Sequence, residues 1–208
     1  MALNRSRGFT LMELMVSMTV FLIATGVLLM GVQPALKESR VVGAYNLTLN
    51  ILRQARDTTI ARRFTYAVAF APSVAVNGVN VSQITVTPGF GVNAADTYNL
   101  PTDVYYMVLA NFPKSPVTFP FTPDSFGFGA TAIDFDQGVV GGVQNIIYFS
   151  PDGSAQDING NINNGVIYIA RPGDYYSAKA ITVWGATGRI RGWRMDQNAA
   201  KTYYWRQQ

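Results

Sequence analysis

From Phe9 to Val32 the chain runs 24 residues with a single charge, Glu13. As an α-helix such a run rises about 36 Å at ~1.5 Å per residue, enough to cross the hydrocarbon core of a bilayer. Arg5 and Arg7 precede it, so the positive-inside tendency puts the N-terminus in the cytoplasm and residues 37 onward outside. The run is long for a cleaved secretory signal, and no small-x-small site follows it before Pro34. A plain anchor does not explain Glu13. A carboxylate in a spanning helix costs up to roughly 3 kcal/mol at the centre, less near an end, and ordinarily marks function or a partner.

The residues around that acid narrow the reading. The stretch Arg7-Gly8-Phe9-Thr10-Leu11-Met12-Glu13-Leu14 resembles the processing and methylation site of type IV prepilins and type II secretion pseudopilins. The resemblance implies that residues 1–8 are a leader, removed after Gly8 by a prepilin peptidase and methyltransferase that then N-methylates Phe9. It also implies that Glu13 stays in the membrane and pairs with the N-terminal amine of a neighbouring subunit during filament assembly. Cleavage creates a cation in an apolar setting, and a nearby carboxylate offsets the desolvation of both. Many pilins carry a proline about two-thirds along this helix. Here the first proline is Pro34, just past it, so the expectation is a straighter helix with a kink at Pro34.

Beyond the apolar segment, residues 9–36, the pattern continues helical over 37–63. Val41, Ala44, Tyr45, Thr48, Leu52, Ala55 and Thr59 recur at spacings of three and four, an amphipathic stripe, with arginines on the other faces. From residue 64 the texture changes. About eight short β-branched and aromatic segments alternate with turn-rich pieces such as Val-Asn-Gly and Pro-Asp-Gly. The fold class expected is α+β. One long helix, first transmembrane and then amphipathic, packs on an antiparallel sheet or sandwich over 64–208, the pilin fold.

Three further stretches resemble FimT/GspH-like minor pilins and pseudopilins. They are Leu52-Arg53-Gln54-Ala55-Arg56 leading into the first strand, Phe149-Ser150-Pro151-Asp152-Gly153, and Gly188-Arg189-Ile190-Arg191 near the C-terminus. The last carries the site expected to bind DNA in one alternative. Alternation on a strand puts Arg189 and Arg191 on one face, and Arg194, Lys201 and Arg206 follow, interleaved with Trp193, Tyr203, Tyr204 and Trp205. Guanidiniums beside rings suit phosphate contact and base stacking. The resemblance implies DNA capture during natural transformation in some such proteins and no such role in secretion pseudopilins. The competing reading of the arginines is a basic strand end facing a neighbour or solvent.

Composition limits the rest. Cys and His are both absent, which removes the thiol nucleophile, the thiolate metal site, the commonest general base and the commonest metal ligand. The net charge of +4 is patchy: six cations face two anions over 37–63, three face eight over 64–187, and five face one over 188–208. Asp157, Asn159 and Asn161 have calcium-loop spacing but lack the Gly and the closing Glu that such loops use. Asp134 and Asp136 read as solvent-facing, and Phe126-Gly127-Phe128-Gly129 lacks a phosphate-loop context. No enzyme, cofactor or metal site is expected. The expectation is a single-pass bacterial inner-membrane subunit with an extracytoplasmic C-terminal domain, assembled with other pilin or pseudopilin subunits into a secretion pseudopilus or type IV pilus.

Overall fold

The computed structural model describes residues 9–89, 95–109, 131–135, 145–199 and 202–208. The chain divides into two compact units, with the boundary between Ser39 and Arg40. One helix, α1 (Leu11–Arg62), contributes to both, and Pro34 lies inside it without ending it.

In the first unit the described apolar side chains of α1 and of Phe9 before it are exposed along the run, from Phe9 at 81% to Val32 at 49%. Its interior hydroxyls are satisfied by the helix itself. Ser17, Thr19 and Thr25 donate to the carbonyls of Glu13, Met15 and Phe21, four residues back, at 2.7–2.8 Å. That arrangement removes three polar groups that hydrocarbon would otherwise leave unsatisfied.

In the second unit α1 behaves as the periodicity predicts. All seven stripe residues are buried, joined by Leu49 and Ile51. Thr48 donates to the Ala44 carbonyl, and its hydroxyl shares a hydrogen bond of 3.1 Å with the Tyr106 phenol. Burial pushes the Tyr106 phenol well up, the Thr48 hydrogen bond opposing it. The helix ends in a Schellman turn. Phe64 N–H reaches back to the Thr59 carbonyl at 3.3 Å, and Arg63 takes the left-handed position with φ of 52°.

Eleven strands follow among the described residues: β1 (Tyr66–Val76), β2 (Val79–Pro88), β3 (Asp96–Asn99), β4 (Tyr105–Tyr106), β5 (Ile133–Asp134), β6 (Ile146–Phe149), β7 (Ala155–Gln156), β8 (Gly165–Arg171), β9 (Asp174–Trp184), β10 (Arg189–Gln197) and β11 (Tyr203–Gln207). They form two sheets, in orders β3-β2-β1-β6-β7 and β11-β10-β9-β8-β4, with β5 also on β8. Every pairing is antiparallel. This is the expected α+β class. The main core joins the α1 stripe to Val68, Phe70, Ile84, Ile147 and Phe149 of the first sheet and to Ile167, Ile169, Ile181 and Val183 of the second. Alternate residues of β8 to β11, among them Tyr168, Ala180, Trp193, Met195 and Trp205, build a second core on the other face of the second sheet. Pro-Val-Thr-Phe-Pro-Phe at 116–121, one of the β-branched and aromatic segments whose pattern predicts a strand, lies outside the described residues, as does Asp136.

Candidate functional site

In the first unit, Glu13 closes a capping box with Thr10. The Thr10 backbone N–H and hydroxyl both donate to Glu13 Oε2 at 3.2 Å, and Glu13 N–H donates to Thr10 Oγ1 at 3.2 Å. The carboxylate thus sits on the positive end of the helix dipole, in the first turn, where a negative charge is favoured. That local arrangement answers part of the cost of an acid in an apolar run. The Thr-x-x-Glu spacing is the sequence signal for it. Phe9, the residue before the cap, is exposed, and Gly8 lies outside the described residues.

In the second unit, the turn after β9 and the start of β10 place the arginines. Arg189 pairs across the ladder with Trp184 and Arg191 with Thr182, so the four side chains share one face. Together with Thr187 they line a cavity of about 300 Å³. Ile190 points the other way and packs against the main core. Arg194 falls with Ile190 in the strand's alternation. It ion-pairs with Asp196 at 3.6 Å, and Arg206 reaches the same Asp196 carboxylate oxygen at 3.4 Å. The structure therefore brings Arg189 and Arg191 together and leaves Arg194 on the opposite face. Lys201 lies outside the described residues.

The aromatic partners differ from those the sequence suggested. Trp193 and Trp205 are 2% and 3% exposed, part of the second core, and the Trp193 indole N–H donates to Thr182 Oγ1 at 2.9 Å. Neither ring is open to a base. The exposed indole is Trp184, at 47%. It stands last in an apolar strand and so reads as an ordinary core position.

Arg56 is the other residue that local pattern concealed. Its Nη2 donates to the Thr187 carbonyl at 3.0 Å and its Nε to the Gly153 carbonyl at 3.4 Å, while Nη1 lies 3.7 Å from Asp57. Gly188 passes so close that a Cβ there would stand 2.1 Å from the Gly153 oxygen and 2.9 Å from Arg56 Nε. The three stretches singled out in sequence thus meet at one point of the fold. Gly153 (φ 83°) is the αL position of the β6–β7 turn, and Asp152 in that turn accepts from the Ser154 hydroxyl and N–H. Those two bonds hold the Asp152 carboxyl below its usual range.

The calcium-like loop is closed on itself. Asp157, 2% exposed, accepts from the N–H groups of Asn159 and Asn161 at 2.8 Å and from the Asn161 amide at 3.0 Å. Burial alone would push its carboxyl up, but these bonds outweigh burial and hold it below the usual range. Among the described residues no cluster of acidic side chains has metal-site geometry. Asp134, expected at the surface, is 3% exposed, because its short strand lies against the buried strand β8.

Comparison with known proteins bears on the N-terminal segment. Residues 3–29 match the family described as the prokaryotic N-terminal methylation motif. No curated protein and no solved structure matches the chain. The matched stretch contains Gly8, Phe9, Thr10 and Glu13, and α1 is long and apolar enough over this region to cross a membrane. The chain thus carries a prokaryotic N-terminal methylation motif over residues 3–29.

Proposed function

We propose that this chain is a minor pilin or pseudopilin of the FimT/GspH-like kind, processed after Gly8, methylated on Phe9 and assembled with other such subunits into a type II secretion pseudopilus or type IV pilus. The observation that carries the reading is the methylation motif lying on an apolar helix whose described side chains are exposed. Such a helix is at home in lipid and, equally, in a bundle of like helices. Glu13 then exchanges part of its capping box for a neighbour's amine, so that both charges leave lipid as a pair. Meeting of the three resembling stretches at Arg56, Gly153 and Gly188 supports the FimT/GspH assignment, since each stretch has a packing reason to keep its residues.

Co-expression with a prepilin peptidase tests this. Mass spectrometry is expected to find residues 1–8 removed and one methyl group added to Phe9, with Gly8→Ala retaining the full mass. An untrimmed wild-type chain would sink the proposal. Glu13→Val is expected to insert in the membrane normally yet fall in sheared filaments.

A second reading, DNA handling, rests on Arg189 and Arg191 sharing one face with an exposed indole in a cavity. It is compatible with filament assembly, because the β-rich unit would be displayed. The expected signature is duplex binding that weakens as salt rises. In Arg189→Ala/Arg191→Ala the salt slope should drop by roughly 0.9 for each phosphate no longer neutralised.

A further inference from the structure

We infer that the hollow beside Arg189 and Arg191 seats one terminal phosphate, so that this surface grips the phosphorylated end of a nucleic-acid strand. The inference rests on the DNA-handling reading above and names the group recognised there. The hollow, about 300 Å³, is lined by Thr182, Trp184, Thr187, Arg189 and Arg191, so two guanidiniums and two hydroxyls border it. Arginine brings only donors, in a fork that matches phosphate oxygens. Among the described residues neither guanidinium has an ion-pair or hydrogen-bond partner, whereas Arg194 and Arg206 share Asp196. Arg189 and Arg191 stand on one face, roughly 7 Å apart along the strand. Two uncompensated like charges at that spacing repel, and an anion between them relieves both.

Charge decides which phosphate fits. A phosphomonoester carries about −1.5 to −2 near neutrality and matches the pair, because its second pKa is about 6. A backbone phosphodiester carries a single charge and leaves half of the pair unmatched. Size points the same way. The hollow is at the small end for a ligand pocket, and a terminal phosphate brings one sugar with it where a backbone phosphate brings two. A buried donor completes the seat. Thr182 is 2% exposed and its oxygen accepts from the Trp193 indole, which leaves its own proton for an acceptor in the hollow. A buried hydroxyl proton without an acceptor is costly, and a phosphate oxygen supplies one.

The experiment is isothermal titration calorimetry on the full chain in detergent micelles, with single-stranded 12-mers phosphorylated at both ends or at neither. At neutral pH the phosphorylated strand should bind roughly tenfold more tightly, the effect of about one added charge-assisted contact. Lowering the pH to about 5 makes the terminal phosphate a monoanion and should remove most of that preference. The chain has no histidine, so the change reports the ligand. Arg191→Lys keeps the charge but not the fork, and should lose the preference while the salt slope of the unphosphorylated strand stays unchanged. Equal affinity of the two strands, both weakening with salt, would overturn the terminal-phosphate seat and leave DNA handling standing. Absence of binding by either strand at low salt would overturn the DNA reading and the seat with it. A preference that survives in Arg191→Lys would place the recognised phosphate elsewhere on the chain and overturn the assignment to this hollow. Inorganic phosphate competing as well as the phosphorylated strand would make this a free-phosphate site and overturn the strand-end reading.

Discussion

Replacing Arg56 by Ala removes a side chain that ties α1 to both the β6–β7 turn and the β9–β10 turn. Hydrogen bonds with a charged partner contribute roughly 1.5–3 kcal/mol each. The Nη2 bond to Thr187, at 3.0 Å, has good length, whereas the Nε bond to Gly153, at 3.4 Å, is long and counts for a fraction of that. The side chain is 33% exposed, so water replaces part of what is removed. Together these give a loss of about 2 kcal/mol. For a unit of this size each kcal/mol moves Tm by about 2–4 °C, so the melt should fall by ~4–8 °C. The near-ultraviolet circular dichroism of buried Trp193 and Trp205 reports the transition in the full chain in micelles. Arg56→Lys keeps the charge but not the planar fork that reaches two carbonyls, and should lose more than half as much. Arg53→Ala, on the same helix about one turn earlier, serves as the control and should stay within ~0.5 kcal/mol. A melt for Arg56→Ala no lower than that of Arg53→Ala would refute the reasoning.

Other substitutions probe separate links. Gly192→Ala places a Cβ 1.6 Å from the Tyr45 hydroxyl and 2.8 Å from its ring carbon, and should cost about 3 kcal/mol; adding Tyr45→Phe should recover part of that, measured by urea unfolding, and no recovery would mean the clash lies elsewhere. Arg63→Gly relieves a left-handed non-glycine residue at the helix end and should raise stability by about 1 kcal/mol, read as a higher Tm; a lower Tm would show that the arginine side chain matters more than its backbone strain. Asp152 and Asp157 have lowered folded-state values, so their stabilisation is complete above the unfolded value of about 3.9 and is lost as pH falls through the folded ones. Asp157→Asn should therefore flatten the acid limb of stability against pH below about 4 while leaving the slope near neutrality unchanged, and an unaltered acid limb would count against the loop's bonds.

Much of the fold is written in short-range pattern. The α1 stripe is read correctly at all seven positions because 3.6-residue periodicity is local. The β-branched and aromatic runs of β1, β2, β6, β8 and β9 carry an equally local signal, reflecting two buried faces or one. The strand β3, Asp-Thr-Tyr-Asn, escapes because all four residues are exposed on a sheet edge and leave no apolar signal. The strand β7 is two residues long. The candidate site is legible where chemistry and spacing coincide, in the methylation motif and in the Arg189/Arg191 alternation. It is not legible where partners lie far along the chain. Arg56 looks like any arginine on a helix surface until Thr187, 131 residues on, arrives beside it. Trp184 looks like core and Trp205 looks like surface, and only the closing of the second sheet exchanges the two roles.

The hydrogen bonds of Arg56 span sequence separations of 97 and 131 residues. A chain emerging N-terminus first therefore commits its apolar helix to the membrane long before the turn that locks the same helix exists. Loop closure over such distances is slow relative to local hairpins, so the β-hairpins form first and the helix is fastened late. Until then the stripe from Val41 to Thr59 is bare, which makes this interval the stage of biogenesis most open to a chaperone or a protease. A chain truncated before Thr187 would keep its anchor and its first sheet strands but never complete the lock, and its half-life in the cell would record how long that interval normally lasts.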